Sequence, residues 1–262
     1  MAEDLKSSYD DVAEMYHQLW ANWYFPAALP ALERLFFSQV PAGSAILELC
    51  CGSGHVTREL VDRQYRVTGV DNSAALLALA RQDLPAVEFL LQDVRKLKLK
   101  ATYPAALCTF DSLNHVLELE ELQEVFAGVE AALEPGGLFV FDMNLEEAYQ
   151  ADLHQWVVDV QDDRVGLVRG TFDPLRKRAA TELIWFVRSA DDQGAWRQRR
   201  STVEHRCYRQ EEILRALHGA GYVEIESASA AEAGITAELG YGRVFFAARS
   251  GVRKNANVDS LG

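Results

Sequence analysis

The chain has 262 residues, 49% of them apolar, enough for one well-buried domain or a domain with a modest insertion. Its formal net charge of -13 argues against a nucleic-acid backbone or an anionic membrane surface as partner, because both recruit Lys and Arg to neutralise phosphate. No run approaches the roughly 18–20 apolar residues of a membrane span, and the acidic start MAEDLKSSYDD has no apolar core like that of a secretory signal, so a cytoplasmic location is expected.

The first segment, residues 4–17, has Leu5, Tyr9, Val12, Ala13 and Tyr16 at helical spacing. A second apolar stretch, 27–37, follows Pro26 and reads as another helix, and Pro41-Ala42-Gly43-Ser44 then breaks the pattern. From Ala45 the chain alternates short apolar runs with amphipathic stretches. AILEL predicts a strand and 55–63 a helix; YRVTGV predicts a second strand, followed by a helix over SAALLALARQ capped by Ser73. VEFLL and AALCTF read as the third and fourth strands. A long helix over 118–133 carries Leu119, Leu122, Phe126, Val129 and Leu133 on one face, stops at Pro135-Gly136-Gly137, and leads into a fifth strand, GLFVFDM. Alternation of this kind, with uninterrupted apolar strands, implies an α/β, Rossmann-like, doubly wound and mostly parallel sheet with helices on both faces.

Residues of about 153–208 break the alternation. WVVDV, RVGLVRGTF, AATELIWFVRS and WRQRRSTVEHRCY are separated by turn signals at Asp162-Asp163, Asp173-Pro174 and Asp191-Asp192-Gln193-Gly194, and read as an inserted antiparallel β segment. A helix over 210–220, ended by Gly221, and strands YVEIESAS and GRVFFAAR close the domain. The organisation expected is one domain over 1–250 with an N-terminal helical lid at 1–40, and a disordered tail at 251–262. The four cysteines, Cys50, Cys51, Cys108 and Cys207, lack the paired spacing of a zinc site and read as reduced, buried thiols, so no metal is expected.

Chemistry concentrates in Glu48-Leu49-Cys50-Cys51-Gly52-Ser53-Gly54-His55, where the first strand meets a helix, the place where open parallel sheets bind ligands. Gly52 and Gly54 allow a tight turn and a close approach of backbone to ligand. A dinucleotide site wants a third glycine so that a pyrophosphate can sit on the helix N-terminus. Thr57 stands there instead, and the carboxylate of Glu48 before the turn suits a positively charged ligand better than a pyrophosphate.

ELCCGSGH resembles the first motif of class I S-adenosylmethionine-dependent methyltransferases, departing from it at Cys50, where the family usually has a glycine. Three further segments resemble the family's pattern in order: VTGVDNS, ending the second strand at Asp71; FLLQDV, with Asp93 after the third; and LEPGG before the fifth. The resemblance, strongest through the first five strands, implies that Glu48, Cys50, Gly52 and Gly54 form the cofactor turn. It implies that Asp71, beside Asn72, accepts both ribose hydroxyls, and that Gln92, Asp93 and Val94 meet the adenine. TFDSLNHV then places Phe110 and Asp111 between cofactor and acceptor. Tyr9 and Tyr16 resemble lid residues whose rings meet the sulfonium, and the inserted β segment resembles that of amino-sugar N,N-dimethyltransferases.

The implied activity is transfer of a methyl group from S-adenosylmethionine to a nitrogen or oxygen of a small-molecule acceptor, by a monomer or homodimer. His115 and His205 are the candidate catalytic bases, Asp111 and Asn114 are candidates for orienting the acceptor, and Trp20, Trp23, Tyr24, Trp156 and Trp185 for walling its pocket. The alternatives are a catalytically silent module that binds the same cofactor, or an NAD-dependent oxidoreductase.

Overall fold

In the computed structural model, which describes residues 7–99, 103–151, 156–189, 195–235 and 240–251, the N-terminal part is one helical path. A 3-10 turn at Asp10–Val12 leads through α1 (Ala13–Met15) and a π-type turn at Tyr16–Trp20 into α2 (Ala21–Leu32), which ends in a second π-type turn at Glu33–Phe37. The helix expected to begin after Pro26 therefore begins earlier, and both Pro26 and Pro30 lie inside α2. Each proline removes one backbone hydrogen bond. Burial of Tyr24, Phe25, Ala28, Ala31 and Leu32 against the sheet offsets that loss.

The apolar runs that follow become β1 (Ala45–Leu49), β2 (Arg66–Asp71), β3 (Glu88–Leu91), β4 (Tyr103–Cys108) and β5 (Leu133–Asn144). They are linked by α3 (His55–Asp62), α4 (Ala74–Asp83) and α5 (Leu119–Ala132). Ser73 caps α4 as expected, its hydroxyl accepting the Leu76 amide at 3.1 Å. After α6 (Glu146–Ala151) come β6 (Trp156–Val160), β7 (Arg164–Asp173), β8 (Arg178–Arg188) and β9 (Trp196–Arg206), then α7 (Gln210–Gly219), β10 (Tyr222–Ser229) and β11 (Arg243–Ser250).

One sheet has the order β10-β11-β5-β4-β1-β2-β3. Its pairs from β5 through β3 are parallel, and β11 is antiparallel to both neighbours. Strand residues alternate between two cores because successive side chains point to opposite faces. In β5, Phe139, Phe141 and Met143 pack with α5 and α7, whereas Leu138 and Val140 pack with α2. The chain leaves β1 toward β2 and β3, then crosses back to β4 and β5, so the strand order reverses beside β1. The crevice outside the C-terminal ends of β1 and β4 is the topological switch point.

The second sheet, β6-β7-β8-β9, is antiparallel throughout. Leu183, Trp185 and Val203 on one of its faces pack with Val12 and Met15, which fastens this sheet to the N-terminal helical path above the switch point. Among the described residues, no helix is long and apolar enough to cross a membrane. The tail at 252–262 lies outside the described residues.

Candidate functional site

Three left-handed residues turn the chain from β1 into α3: Cys50 (φ 53), Gly52 (φ 55) and Gly54 (φ 84). A left-handed φ is why glycine suits the position that Cys50 occupies; its side chain makes that conformation cost roughly 1–2 kcal/mol. At Gly52 a Cβ would sit 3.3 Å from the ring of Tyr16, so the aromatic packs on a bare Cα.

The Gly52 amide donates to Asp71 Oδ2 at 2.8 Å, and the Ser73 amide donates to Oδ1 at 2.8 Å. Asp71 thus lies at the end of β2 with one backbone amide on each oxygen, and each oxygen keeps acceptor capacity for a ligand hydroxyl. Burial raises its pKa, opposed by these amide bonds. The Ser73 hydroxyl donates to Asp10 at 2.6 Å, which ties the N-terminal segment to the cap of α4. After β3, Asp93 accepts the Arg95 amide at 2.9 Å and pairs with its guanidinium at 2.6 Å. Although burial acts the other way, this partner holds Asp93 below the usual carboxylate range.

The loop after β4 is held by a buried charge cluster. Phe110 (φ 62) and Asp111 (φ 44) are consecutive left-handed residues without being glycine. Their amides donate to the carboxylate of Asp142 at 2.8 and 3.0 Å. Asp142 also accepts from the hydroxyl of Tyr24 at 2.5 Å and is ion-paired with Arg243, whose other arm reaches Asp111 at 2.8 Å. Asp142 is fully buried and Arg243 is 5% exposed, so the pairs are little screened by solvent. Burial opposes ionisation of Asp111, but Arg243 outweighs it and keeps its pKa low. Asp142 and Arg243 form this bracket unnoticed by sequence reasoning; an acidic residue ending a strand otherwise made of apolar residues was the available signal.

These loops floor a cavity of about 710 Å³. Tyr9, Tyr16, Cys50, Gly52, Asp71, Asn72, Asp93, Val94, Phe110, Asp111, His115 and His205 all line it. Residues of β7, β8 and β9, among them Val168, Thr181 and Val203, form its roof, and Ala148 and Tyr149 of α6 close one side. The rings of Tyr9 and Tyr16 meet edge to face, 5.5 Å apart. His115 spends both ring nitrogens: Nδ1 lies 3.0 Å from the carbonyl of Glu204, and Nε2 lies 3.0 Å from the Tyr9 hydroxyl. A carbonyl only accepts, so Nδ1 carries the proton and Nε2 accepts from Tyr9. Burial lowers the pKa of His115, and burial together with His115 lowers that of His205 to about 3, so both rings are neutral near pH 7. The two rings lie 4.4 Å apart.

Other expected site residues lie elsewhere. Glu48, Gly54 and Gln92 do not line this cavity. The carboxyl of Glu48 accepts from the Thr57 hydroxyl at 2.6 Å and borders a smaller cavity behind the turn. Burial raises its pKa to about 8, which keeps it protonated rather than poised against a cation. Gly54 is the N-cap of α3. Asn114 is wholly buried and uses its amide to clamp Asn144 and Arg206 of the backbone. Trp185 is core beneath the N-terminal path, Tyr24 belongs to the Asp142 cluster, and Trp156 stands exposed with Arg169 over its ring. The side chains of Trp20 and Trp23 lie outside the described residues.

The cavity fits a sulfonium nucleoside better than a dinucleotide. Asp71 brings a carboxylate to the cavity, Tyr16 packs against the turn, and Thr57, which stands where a dinucleotide loop has its third glycine, gives its hydroxyl to Glu48. Comparison with known proteins agrees. Residues 46–137 match a family model described as a methyltransferase domain. The dTDP-3-amino-3,6-dideoxy-alpha-D-glucopyranose N,N-dimethyltransferase of Streptomyces fradiae is 30% identical over 135 residues, 50% of this chain and 52% of that one. A trans-aconitate 2-methyltransferase of Acidovorax sp. (strain JS42) is 32% identical over 171 residues, 60% of this chain and 65% of that one. A solved S-adenosylmethionine-dependent methyltransferase from Clostridium acetobutylicum ATCC 824 shares the fold with a TM-score of 0.75 at 19% identity, covering 94% of this chain and all of the other. The chain spans about half to three quarters of the length of the curated relatives it matches. Residues 46–137 thus match a methyltransferase domain, and the fold built around them is one shared with a solved S-adenosylmethionine-dependent methyltransferase.

Proposed function

We propose that the chain moves the methyl group of S-adenosylmethionine to a nitrogen or oxygen of a small acceptor whose reacting part is neutral or cationic. The observation that carries this reading is the charge balance of the cavity wall. Arg95 and Arg243 are the cationic side chains that line it among the described residues, and each is already paired with two carboxylates. An acceptor bearing several carboxylates, of the trans-aconitate kind, would find no uncommitted cation; an amine or hydroxyl needs none. The amino-sugar relative, by its name, methylates a nitrogen.

When bound, S-adenosylmethionine supplies a methyl group on an excellent leaving group, so the residues of this chain have mainly to bind, align and exclude water. Holding reactants in line contributes about 7–11 kcal/mol to such a step. Asp71 would accept the ribose hydroxyls and Asp93 and Val94 would border the base, while Tyr9 and Tyr16 line the cavity with Cys50 and Gly52. Residues of the second sheet line the cavity opposite the β1 and β4 loops, where they would shield the acceptor from part of the solvent. Burial keeps His115 and His205 neutral, so neither places a positive charge beside a cationic acceptor, and the unbonded Nδ1 of His205 can accept a proton or hydrogen bond from it.

Isothermal titration with S-adenosylmethionine and S-adenosylhomocysteine, with Asp71→Ala as control, tests the cofactor. Micromolar binding lost in the variant supports the reading, and preference for NADH overturns it. Release of S-adenosylhomocysteine that depends on an amino sugar supports methyl transfer. Tight cofactor binding with no release for any amine, hydroxyl or carboxylate acceptor would instead mark a silent binding module.

A further inference from the structure

Two buried polar atoms on the acceptor side of the cavity have no hydrogen-bond partner among the described residues: the hydroxyl of Tyr149 and Nδ1 of His205. Both residues line the cavity, and their rings lie 5.5 Å apart. Buried polar groups are nearly always satisfied, by protein, water or ligand. Leaving one unpaired costs about 1–3 kcal/mol, so two together on one wall of a cavity mark a place where something else supplies the bonds. The neighbouring His115 differs in kind, since both its ring nitrogens are already bonded.

We propose that the Tyr149 hydroxyl and His205 Nδ1 together hold the methyl acceptor, pairing with two of its adjacent polar groups. Nε2 of His205 lies 3.1 Å from the Thr181 hydroxyl of the same sheet, a bond that fixes the ring and leaves Nδ1 as its unbonded nitrogen. Tyr149 comes from α6 and His205 from β9, so the two atoms are held by different elements. The phenol can donate or accept and the imidazole, when Nε2 carries its proton, accepts. A vicinal amino alcohol, with an N–H or O–H beside a second hydroxyl, satisfies both. Val168, Ala148 and Val116 line the same cavity, and Asp111, which acts on both Tyr149 and His205, brings a carboxylate to it. Nothing in the spacing of the chain singles out Tyr149 or separates His115 from His205; the two bonded nitrogens of His115 do.

This assignment rests on the methyltransferase reading, and the test keeps the two apart. Turnover of 3-amino-3,6-dideoxyglucose, free and as its dTDP derivative, is measured in wild type, Tyr149→Phe, His205→Asn and His205→Gln, with S-adenosylhomocysteine affinity measured in each. Asn keeps a polar atom where Nδ1 stands; Gln keeps one where Nε2 stands and preserves the Thr181 bond. The expected result is unchanged S-adenosylhomocysteine affinity throughout, a KM for the acceptor raised roughly tenfold in Tyr149→Phe and His205→Gln, and a smaller change in His205→Asn. The proposal is overturned if His205→Gln matches wild type while His205→Asn loses activity, or if Tyr149→Phe leaves KM unmoved. A wild-type protein that does not bind S-adenosylhomocysteine overturns the methyltransferase reading, whereas wild-type binding and turnover with KM unmoved in Tyr149→Phe and His205→Gln overturns this pair's role alone.

Discussion

Replacing Arg243 by Met tests the charge cluster under the β4 loop. The side chain is 5% exposed and its partner Asp142 is 0% exposed, so solvent cannot take over the lost interaction. Asp142 would keep the Tyr24 hydroxyl and the amides of Phe110 and Asp111, but no compensating charge, and Asp111 would lose its cation altogether. Removing one partner of a buried ion pair costs about 3–5 kcal/mol. At about 2–4 °C per kcal/mol for a chain near this size, the midpoint of thermal unfolding should fall by roughly 6–20 °C. Without the guanidinium, burial drives the two carboxyls to higher pKa values than in the unfolded chain, so the penalty is greatest where they must ionise and shrinks as pH falls. The assay is differential scanning calorimetry at pH 5 and pH 8. The gap between wild type and Arg243→Met should be smaller at pH 5, and Asp142→Asn in the same chain should recover part of the loss. A drop worth less than about 1 kcal/mol, or a gap independent of pH, would refute the assignment of Arg243 as the compensating charge.

Burial raises the pKa of Glu48 to about 8, above the ordinary 4.5 of a glutamate; its stability contribution is full below the unfolded value and is lost as pH rises through the folded one. Glu48→Gln, which keeps an acceptor for Thr57, should therefore flatten the decline in melting temperature between pH 5 and 8. Gly52→Ala places a Cβ 3.3 Å from Tyr16 at a left-handed φ; titration should show S-adenosylmethionine affinity reduced about tenfold or more, with a stability loss of about 1–2 kcal/mol. Ser73→Ala removes the cap of α4 and the bond to Asp10. It should cost about 1 kcal/mol in urea unfolding and speed proteolytic nicking near the N-terminus.

The apolar runs AILEL and WVVDV became β1 and β6 with the boundaries the sequence suggests, and Ser73 and Gly221 ended elements where their chemistry requires. Local signals of this kind are legible because a strand's apolar run and a cap's hydroxyl act within a few residues. The start of α2 was misplaced because the proline rule is local, whereas the packing of Tyr24, Phe25 and Leu32 that overrides it comes from strands far along the chain. Glu48 shows the same limit within the site: its motif position is visible, but not that its carboxyl turns toward Thr57 and stays protonated.

The sequence by itself determined the alternation of strands and helices, the turn at Gly52 and Gly54, and the carboxylates Asp71 and Asp93 at strand ends, because each depends on neighbours in the chain. Only the tertiary structure decided which atoms are left to act. It brought Arg243 of the last strand to Asp111 and Asp142, folded the inserted sheet over the cavity, and spent both nitrogens of His115 while leaving one of His205 open. These are contacts across about 90 to 130 residues of chain, and a hydrogen bond made at that separation leaves no periodicity or spacing in the sequence from which to read it.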